Sequence, residues 1–321
     1  MAVLILSHPD EDAHVQRMVA ELDKLGYPWF IFDPGAFSAQ ISFEASLSSE
    51  RKRSTLTFCE KHICLEDITS VWYRRPRPIA GDETLPPLER LFIERESKAG
   101  VWGWLRGLEA FWVNPVDAIR AAGHKPHQLQ LAQKVGLAVP RTLITNSPEA
   151  FLAFYEECHG NVIYKLMGYP WYIDEGGIPL SLYTTRVPRD MIAQAHRVSA
   201  CAHLFQEFIE KRCDLRAILI GNEVFTVEIY GLTEETYVDF RVDYSQIRYA
   251  PHCLPDQIRE ALLAMNRAYS LVYSAIDLVF TAEGQYIFLE LNPVGQFGWL
   301  DRQCGVPLYR TLADLLVKGT W

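Results

Sequence analysis

The sequence predicts an α/β (α+β) protein in three parts, on three observations. It opens strand, helix, strand; its middle alternates short strands with helices and a glycine-bearing loop; from Ala202 onward it is mainly strands, with tight turns among them. At 321 residues it exceeds the roughly 100–200 of a typical domain, so separate units are expected over 1–114, 115–205 and 206–321.

Ala2–Leu6 reads as a buried strand. Val15, Met18, Val19, Leu22 and Leu25 then recur at helical spacing, and Gly26 closes the helix. Trp29–Phe32 and Ser70–Tyr73 are further strands, and Leu88, Leu91, Phe92, Ala99, Trp102 and Leu105 mark a long amphipathic segment. No Gly-x-Gly-x-x-Gly follows the first strand, so a dinucleotide site is not indicated. After Asn114-Pro115 a helical stretch containing His124-Lys125 runs to Gly136, a helix stop. Val139–Thr145 is a strand, and Ser147-Pro148 caps and opens a helix through Phe151, Leu152 and Tyr155. Asn161–Met167 is a strand carrying Lys165, and a loop with Gly168, Gly176 and Gly177 leads to a strand around Leu182–Thr185. Strands follow at His203–Ile209, Leu215–Ile220 and Glu223–Tyr230, then a helix from about Asp256 to Val272, then strands Ala275–Phe280 and Gln285–Leu291. Gly221-Asn222 and Ala282-Glu-Gly284 are the hairpin turns, and the last unit is expected to be an antiparallel sheet.

With 49% apolar and 22% charged residues, the composition is that of a soluble globular protein. A net charge of −9 argues against nucleic acid as a partner. Arg51-Lys52-Arg53 and Arg74-Arg75 with Arg77 run against that balance; solvated surface charge is the reading, a seat for an acidic segment the alternative. Seven cysteines without a Cys-x-x-Cys disfavour a zinc site and a disulfide framework and fit a reducing cytosol; Cys59, His62 and Cys64 read as packing residues. The start is unlike a secretory leader, and no apolar run reaches about 18 residues. A cytoplasmic protein without membrane contact is expected.

The run Phe288–Trp299, FLELNPVGQFGW, places Glu290 and Asn292 on one face of a strand and Leu289 and Leu291 on the other. The turn at Ala282–Gly284 would pair this strand with Ala275–Phe280 and bring Asp277 alongside. Three such oxygen donors form an incomplete Mg²⁺ cage that phosphate and water complete; a structural salt bridge at Glu290 is the alternative. Lys125 and Lys165 ask for an anion, and phosphates fit, with the glycines after Lys165 letting backbone amides approach. An ordinary half-exposed lysine and surface loop are the rival. Gln206–Glu210 is an extended connector able to offer its backbone to a base edge. Asp214 and Arg216 share a strand face, and Arg241 follows Asp239-Phe240; such arginines grip phosphate or carboxylate, or form structural ion pairs. No Gly-x-Ser-x-Gly and no convincing Cys–His pair offers a covalent nucleophile.

In this order the pieces resemble the ATP-grasp superfamily: a lysine before a helix ending in Gly-Leu-x-Val-Pro, a second lysine on a strand, Gln-Glu-Phe-Ile, Asp-x-Arg, then Asp and Glu-x-Asn-Pro. Val71-Trp-Tyr-Arg-Arg-Pro76, Val238-Asp-Phe-Arg241 and the Phe288–Trp299 run further resemble the graspetide ligases, which make microviridin-type cross-linked peptides. The resemblance implies an N-terminal pre-ATP-grasp domain, a central lid domain and a C-terminal domain, with ATP clamped between the last two. It implies phosphate contacts for Lys125 and Lys165, adenine contacts for Glu207, Phe208 and Ile209, and Mg²⁺ on Asp277, Glu290 and Asn292. Arg216 and Arg241 would steady the γ-phosphate or acyl phosphate, and Asp214 would either orient Arg216 or approach the ribose. The implied reaction phosphorylates an Asp or Glu side chain of a precursor peptide with leader and core. A Thr or Ser hydroxyl or a Lys amine of that peptide then displaces the phosphate to give an ester or amide ring. A homodimer is also implied. Two positions depart from the pattern or carry none of it. His124 stands where an asparagine is expected, and the lid loop with Trp171, Tyr172, Asp174 and Glu175 has no feature that dictates ring type; Trp171 and Tyr172 serve either peptide recognition or lid packing. The competing functions are addition of a free amino acid to a peptide or small acid, and nucleotide-dependent regulation.

Overall fold

A four-stranded parallel sheet opens the chain, in a computed structural model that describes residues 1–8, 12–37, 41–49, 52–58, 61–168, 171–173, 179–181 and 183–321. Strand β1 (Ala2–Leu6), helix α1 (Asp12–Lys24) and strand β2 (Trp29–Phe32) form a parallel unit. Strands β3 (Ile41–Leu47), β4 (Lys52–Phe58) and β5 (Lys61–Cys64) make a separate antiparallel sheet. Strand β6 (Ile68–Tyr73) returns beside β1, and helix α2 (Pro87–Arg106) crosses to β7 (Phe111–Val113), giving the order β2-β1-β6-β7. All five residues of β1 are buried, as a strand covered on both faces requires.

The β3–β5 sheet has no counterpart in the sequence reading, which sees Lys52 and Arg53 only as charge; Arg51 and Cys59 lie outside the described residues. Reading Arg74 as solvated surface charge is also corrected. It is among the most deeply buried large side chains, because the end of β6 abuts the loop after the last strand, where Arg74 donates to the carbonyls of Val294 and Gly295.

The middle of the chain holds helices α3 (Val116–Ala122) and α4 (Lys125–Lys134), strand β8 (Thr142–Thr145), helix α5 (Pro148–Glu157) and strand β9 (Val162–Lys165). A hairpin of β10 (Trp171–Ile173) and β11 (Pro179–Ser181) follows, then β12 (Thr185–Arg186), 3₁₀ turns over Arg189–Ala200 and β13 (His203–Glu207). The main sheet here has the order β12-β9-β13-β8 and is antiparallel throughout. The side chains of Trp171 and Tyr172, and all of Asp174 and Glu175, lie outside what is described. The single helical stretch expected across His124 is two helices. Pro126 lacks an N–H, and its ring would meet the Ala122 carbonyl one turn earlier; the Gln128 amide satisfies that carbonyl instead.

The last part is a five-stranded antiparallel sheet. Its elements are β14 (Cys213–Ile220), β15 (Glu223–Gly231), α6 (Glu234–Val238), β16 (Ile247–His252), α7 (Asp256–Tyr269), β17 (Tyr273–Phe280), β18 (Tyr286–Asn292), α8 (Gly298–Cys304) and α9 (Leu308–Lys318). The order is β16-β15-β14-β17-β18, and Gly221, at φ +58°, supplies the left-handed residue of the β14–β15 turn. Every position of the central strand β14 is buried. Leu215, Ala217 and Leu219 pack with residues of α3, α4 and α7, whereas Ile218 and Ile220 pack with α1 and α9. Asp214 and Arg216 continue the second of these faces toward the other end of the strand. The site therefore occupies the polar end of a face whose other end is core. Among the described residues no helix is long and apolar enough to cross a membrane.

Candidate active site

Strands β14, β17 and β18 carry one row of polar side chains. Register pairs Arg216 with Asp277, Asp277 with Glu290, and Ala275 with Asn292. One terminal nitrogen of Arg216 reaches both Asp277 oxygens at 2.7 Å, and the other donates to the Gln296 carbonyl at 3.1 Å. The Asn292 amide nitrogen lies 3.2 Å from Glu290 Oε1 and 3.4 Å from Asp277 Oδ2. The expectation that Leu289 packs on the opposite face is corrected. A β-bulge opposite Asp277 and Leu278 adds a residue to β18, so Phe288 and Leu291, three apart, share the core while Leu289 lines the cleft beside Glu290. Beside β18, Gln128 of α4 fixes its end: its amide donates to the Leu291 carbonyl and accepts from the Leu291 N–H, both at 2.8 Å.

Cations face this row. Lys125 begins α4, where the helix dipole disfavours a positive charge. It is held there by Glu290 at 3.1 Å and by the Leu166 carbonyl at 2.8 Å. Lys165 closes β9 and lines the same cleft. Arg241 is bound to Asp239, which also accepts the Thr184 N–H. Asp214 bonds Lys211 at 2.7 Å and 2.9 Å, so among its recorded partners the cation is Lys211 and not Arg216. Glu207, Phe208 and Ile209 form one wall. The Glu207 carboxylate is taken by Arg141 through two hydrogen bonds, at 2.8 Å and 2.9 Å. The N–H groups of Glu207 and Phe208 go to the Arg141 and Asn161 carbonyls, leaving the Ile209 amide without such a partner among the described residues.

The structure thus brings Lys125, Lys165, Glu207, Phe208, Ile209, Asp214, Arg241, Asp277 and Glu290 to one cleft, with Arg216 and Asn292 bonded to Asp277 beneath it. Sequence reasoning missed Lys211, Asp239 and Leu289, which line it too. Lys211 and Asp239 sit in connectors that carry no periodicity, and Leu289 is exposed to the cleft by the bulge. As it stands the cleft encloses about 100 Å³, well below the roughly 300 Å³ of the smallest ordinary ligand sites. Lys125, bridging α4 to Glu290, is part of its lining.

Electrostatics follow from this crowding. Burial pushes the Glu290 carboxyl up, but Lys125, Arg241 and Lys165 outweigh it and hold it well below the usual carboxylate range. Burial raises Asp277, against the pull of Arg216 and with the push of the Glu290 charge. Burial lowers Lys165 to about 8; Glu290 opposes this, and Lys125, Arg241 and Lys211 add to it. Two carboxylates on neighbouring strands and an adjacent amide are a donor set suited to a hard divalent cation. The Asn292 nitrogen now bridges both carboxylates; turning the amide over would place its oxygen there as a third donor.

A family model described as the RimK-like ATP-grasp domain matches residues 122–316. The chain belongs to that family. A model described as the MvdD pre-ATP grasp domain matches residues 2–120. Among solved structures, the macrocyclase MdnB from Microcystis aeruginosa MRC is 30% identical, with 99% of each chain covered and a TM-score of 0.82. Macrocyclase MdnC of the same organism, bound with precursor peptide MdnA, is 26% identical over 99% of this chain and 100% of that one, with a TM-score of 0.88. A RiPP-associated ATP-grasp ligase from Chryseobacterium gregarium, in complex with ADP and a leader and core peptide, is 26% identical over 99% and 97%, at 0.90. The ribosomal protein bS6–L-glutamate ligase of Escherichia fergusonii is 26% identical over 207 residues, 63% of this chain. The chain spans 65% of the length of that curated relative. The solved structures this ATP-grasp protein resembles over its length are thus RiPP-associated ligases and macrocyclases.

Proposed function

We propose that the protein activates Asp or Glu side chains of a ribosomal precursor peptide as acyl phosphates and closes ester, or amide, cross-links with Thr or Ser hydroxyls or Lys amines. The observation that carries this reading is the convergence of Asp277, Glu290 and Asn292 beneath Lys125, Lys165 and Arg241, in a chain matched over nearly its full length by peptide macrocyclases. The units 1–114, 115–205 and 206–321 would act as base, lid and floor, and two copies would form a homodimer; light scattering that returned a monomer would remove the last point.

In this reading the Ile209 amide and the Phe208 ring meet the adenine. Lys125 and Lys165 hold phosphates, and Asp277, Glu290 and Asn292 hold Mg²⁺, which when bound neutralises phosphate charge and polarises the transferring group. Arg216 and Arg241 steady the charge that moves as the peptide carboxylate attacks the γ-phosphorus and ADP leaves. The hydroxyl or amine then adds to the acyl carbonyl, loses its proton and expels phosphate. Each bond removes one water from the peptide. Mass spectrometry of a reaction with ATP, Mg²⁺ and any short peptide found to be encoded nearby tests the reading: a loss of one water per ring is expected, and unchanged peptide counts against it. Likeness to the bS6 glutamate ligase supports a second reading, addition of a free amino acid, which would raise the mass instead.

Lys165 gives a separate test. Its charged form binds phosphate, and with its pKa near 8 a bound nucleotide should draw a proton onto it. Affinity for ATP is expected to fall as pH rises past about 8. Calorimetry in two buffers of different ionisation enthalpy near that pH should record proton uptake. Lys165→Arg, which stays charged, should keep binding and lose the uptake.

A further inference from the structure

One hydrogen bond joins the middle sheet, the proposed lid, to a cation that faces the cleft. Thr184 stands just before β12, and Thr185 pairs with Tyr164 of β9, the neighbour of Lys165. The Thr184 N–H donates to Asp239 Oδ2 at 3.1 Å. The same carboxylate takes three donors from Arg241: the backbone N–H at 3.1 Å and Nε at 2.8 Å on Oδ1, and a terminal nitrogen at 2.5 Å on Oδ2. Oδ2 is therefore shared by the lid backbone and the guanidinium. The other terminal nitrogen of Arg241 has no hydrogen-bond partner among the described residues, and the side chain lines the cleft.

Asp239 is buried, and its setting is firm. It follows α6, whose capping box pairs Thr233 with Thr236. Gly231 lets the end of β15 lie against that helix, since a Cβ there would sit 2.4 Å from the Thr236 backbone. The Tyr237 hydroxyl of α6 accepts the Lys211 N–H at 2.9 Å, which ties the helix to the connector after β13. Burial pushes the Asp239 carboxyl up, but the bonds and charge of Arg241 and the Thr184 N–H outweigh it and hold it below the usual carboxylate range. It stays ionised, so both of its bonds are charge-assisted. Arg186 of β12 makes a second contact between the same parts, over the Phe208 ring at 3.8 Å and 3.5 Å from Glu210, but through no phosphate-facing group.

We propose that Asp239 is a positioning residue that couples occupancy of the γ-phosphate site to closure of the lid. Arg241, once its free nitrogen holds a phosphate, holds the carboxylate in turn, and Oδ2 then faces Thr184. With a diphosphate in the cleft Arg241 is released, the carboxylate can turn, and the lid loses its acceptor. Coupling of this kind is reciprocal, so a docked lid favours the triphosphate. The inference rests on the ATP-grasp reading of the cleft, and no peptide enters its test. Hydrogen exchange is followed at the Thr184 amide in the protein loaded with Mg²⁺ and either ADP or the β,γ-imido analogue of ATP. The amide is expected to exchange about tenfold more slowly under the triphosphate. Calorimetry then gives the affinity for each nucleotide. Asp239→Ala removes the acceptor, and Thr184→Pro removes the N–H while leaving Asp239 and Arg241 in place. Each is expected to cut the preference for the triphosphate about tenfold with ADP affinity unmoved; a structural role alone would move both affinities or neither. Equal exchange at Thr184 under the two nucleotides, or full preference in Thr184→Pro, overturns the proposal. Failure of the peptide reading would show separately, as unchanged peptide mass while the exchange difference persists.

Discussion

Glu290→Ala is expected to lower turnover about a thousandfold while the chain stays folded. Glu290 is half-buried on β18 and lines the cleft. Its carboxylate answers Lys125 at 3.1 Å and sits within the field of Lys165 and Arg241. Removing it takes away one of the donors proposed for Mg²⁺ and leaves the three cations facing one another. The phosphates of ATP would relieve that repulsion, so the KM for ATP should hold or fall while kcat collapses, the pattern of an interaction made chiefly in the transition state. Lys165 would also lose a charge that raises its pKa. Steady-state kinetics with a thermal melt decide the matter. A melting temperature within about 4 °C of wild type together with full turnover would remove the metal assignment.

The hairpin behind that prediction was open to reading from sequence. Alternation puts Glu290 and Asn292 on one face, the turn at Ala282–Gly284 limits the register, and Asp277 does pair with Glu290. Leu289 escaped because alternation assumes an unbroken ladder, and nothing local announces the bulge. Arg74 escaped because its burial comes from a carbonyl pair more than 200 residues away. Helix α9 went unread although Leu308, Leu312 and Leu316, one turn apart and fully buried, carry a helical spacing.

Asn114→Ala should be the most destabilising single change outside the apolar core. Asn114 is buried at the end of β7, and its amide makes four hydrogen bonds to backbone of the C-terminal part. The nitrogen donates to the carbonyls of Tyr273 and Pro293, at 2.8 Å and 2.7 Å, and the oxygen accepts the N–H groups of Val272 and Tyr273, at 2.8 Å and 2.9 Å. Alanine leaves all four groups buried without these partners, at about 1–3 kcal/mol each. A loss of at least about 4 kcal/mol follows, or a fall of about 10 °C in melting temperature. Asn114→Asp should do no better, since it keeps the two acceptor contacts, loses the two donor contacts and buries a charge. Calorimetry that returned a shift under about 2 °C would mean that water replaces the amide. The same residue bears on catalysis: Pro293 begins the loop whose Gln296 carbonyl positions Arg216, and Val294 and Gly295 take the Arg74 guanidinium. Freed of Asn114, that loop loses one anchor to the N-terminal part while Arg74 remains, so residual activity in the folded variant should fall through a looser Arg216 and not through nucleotide affinity.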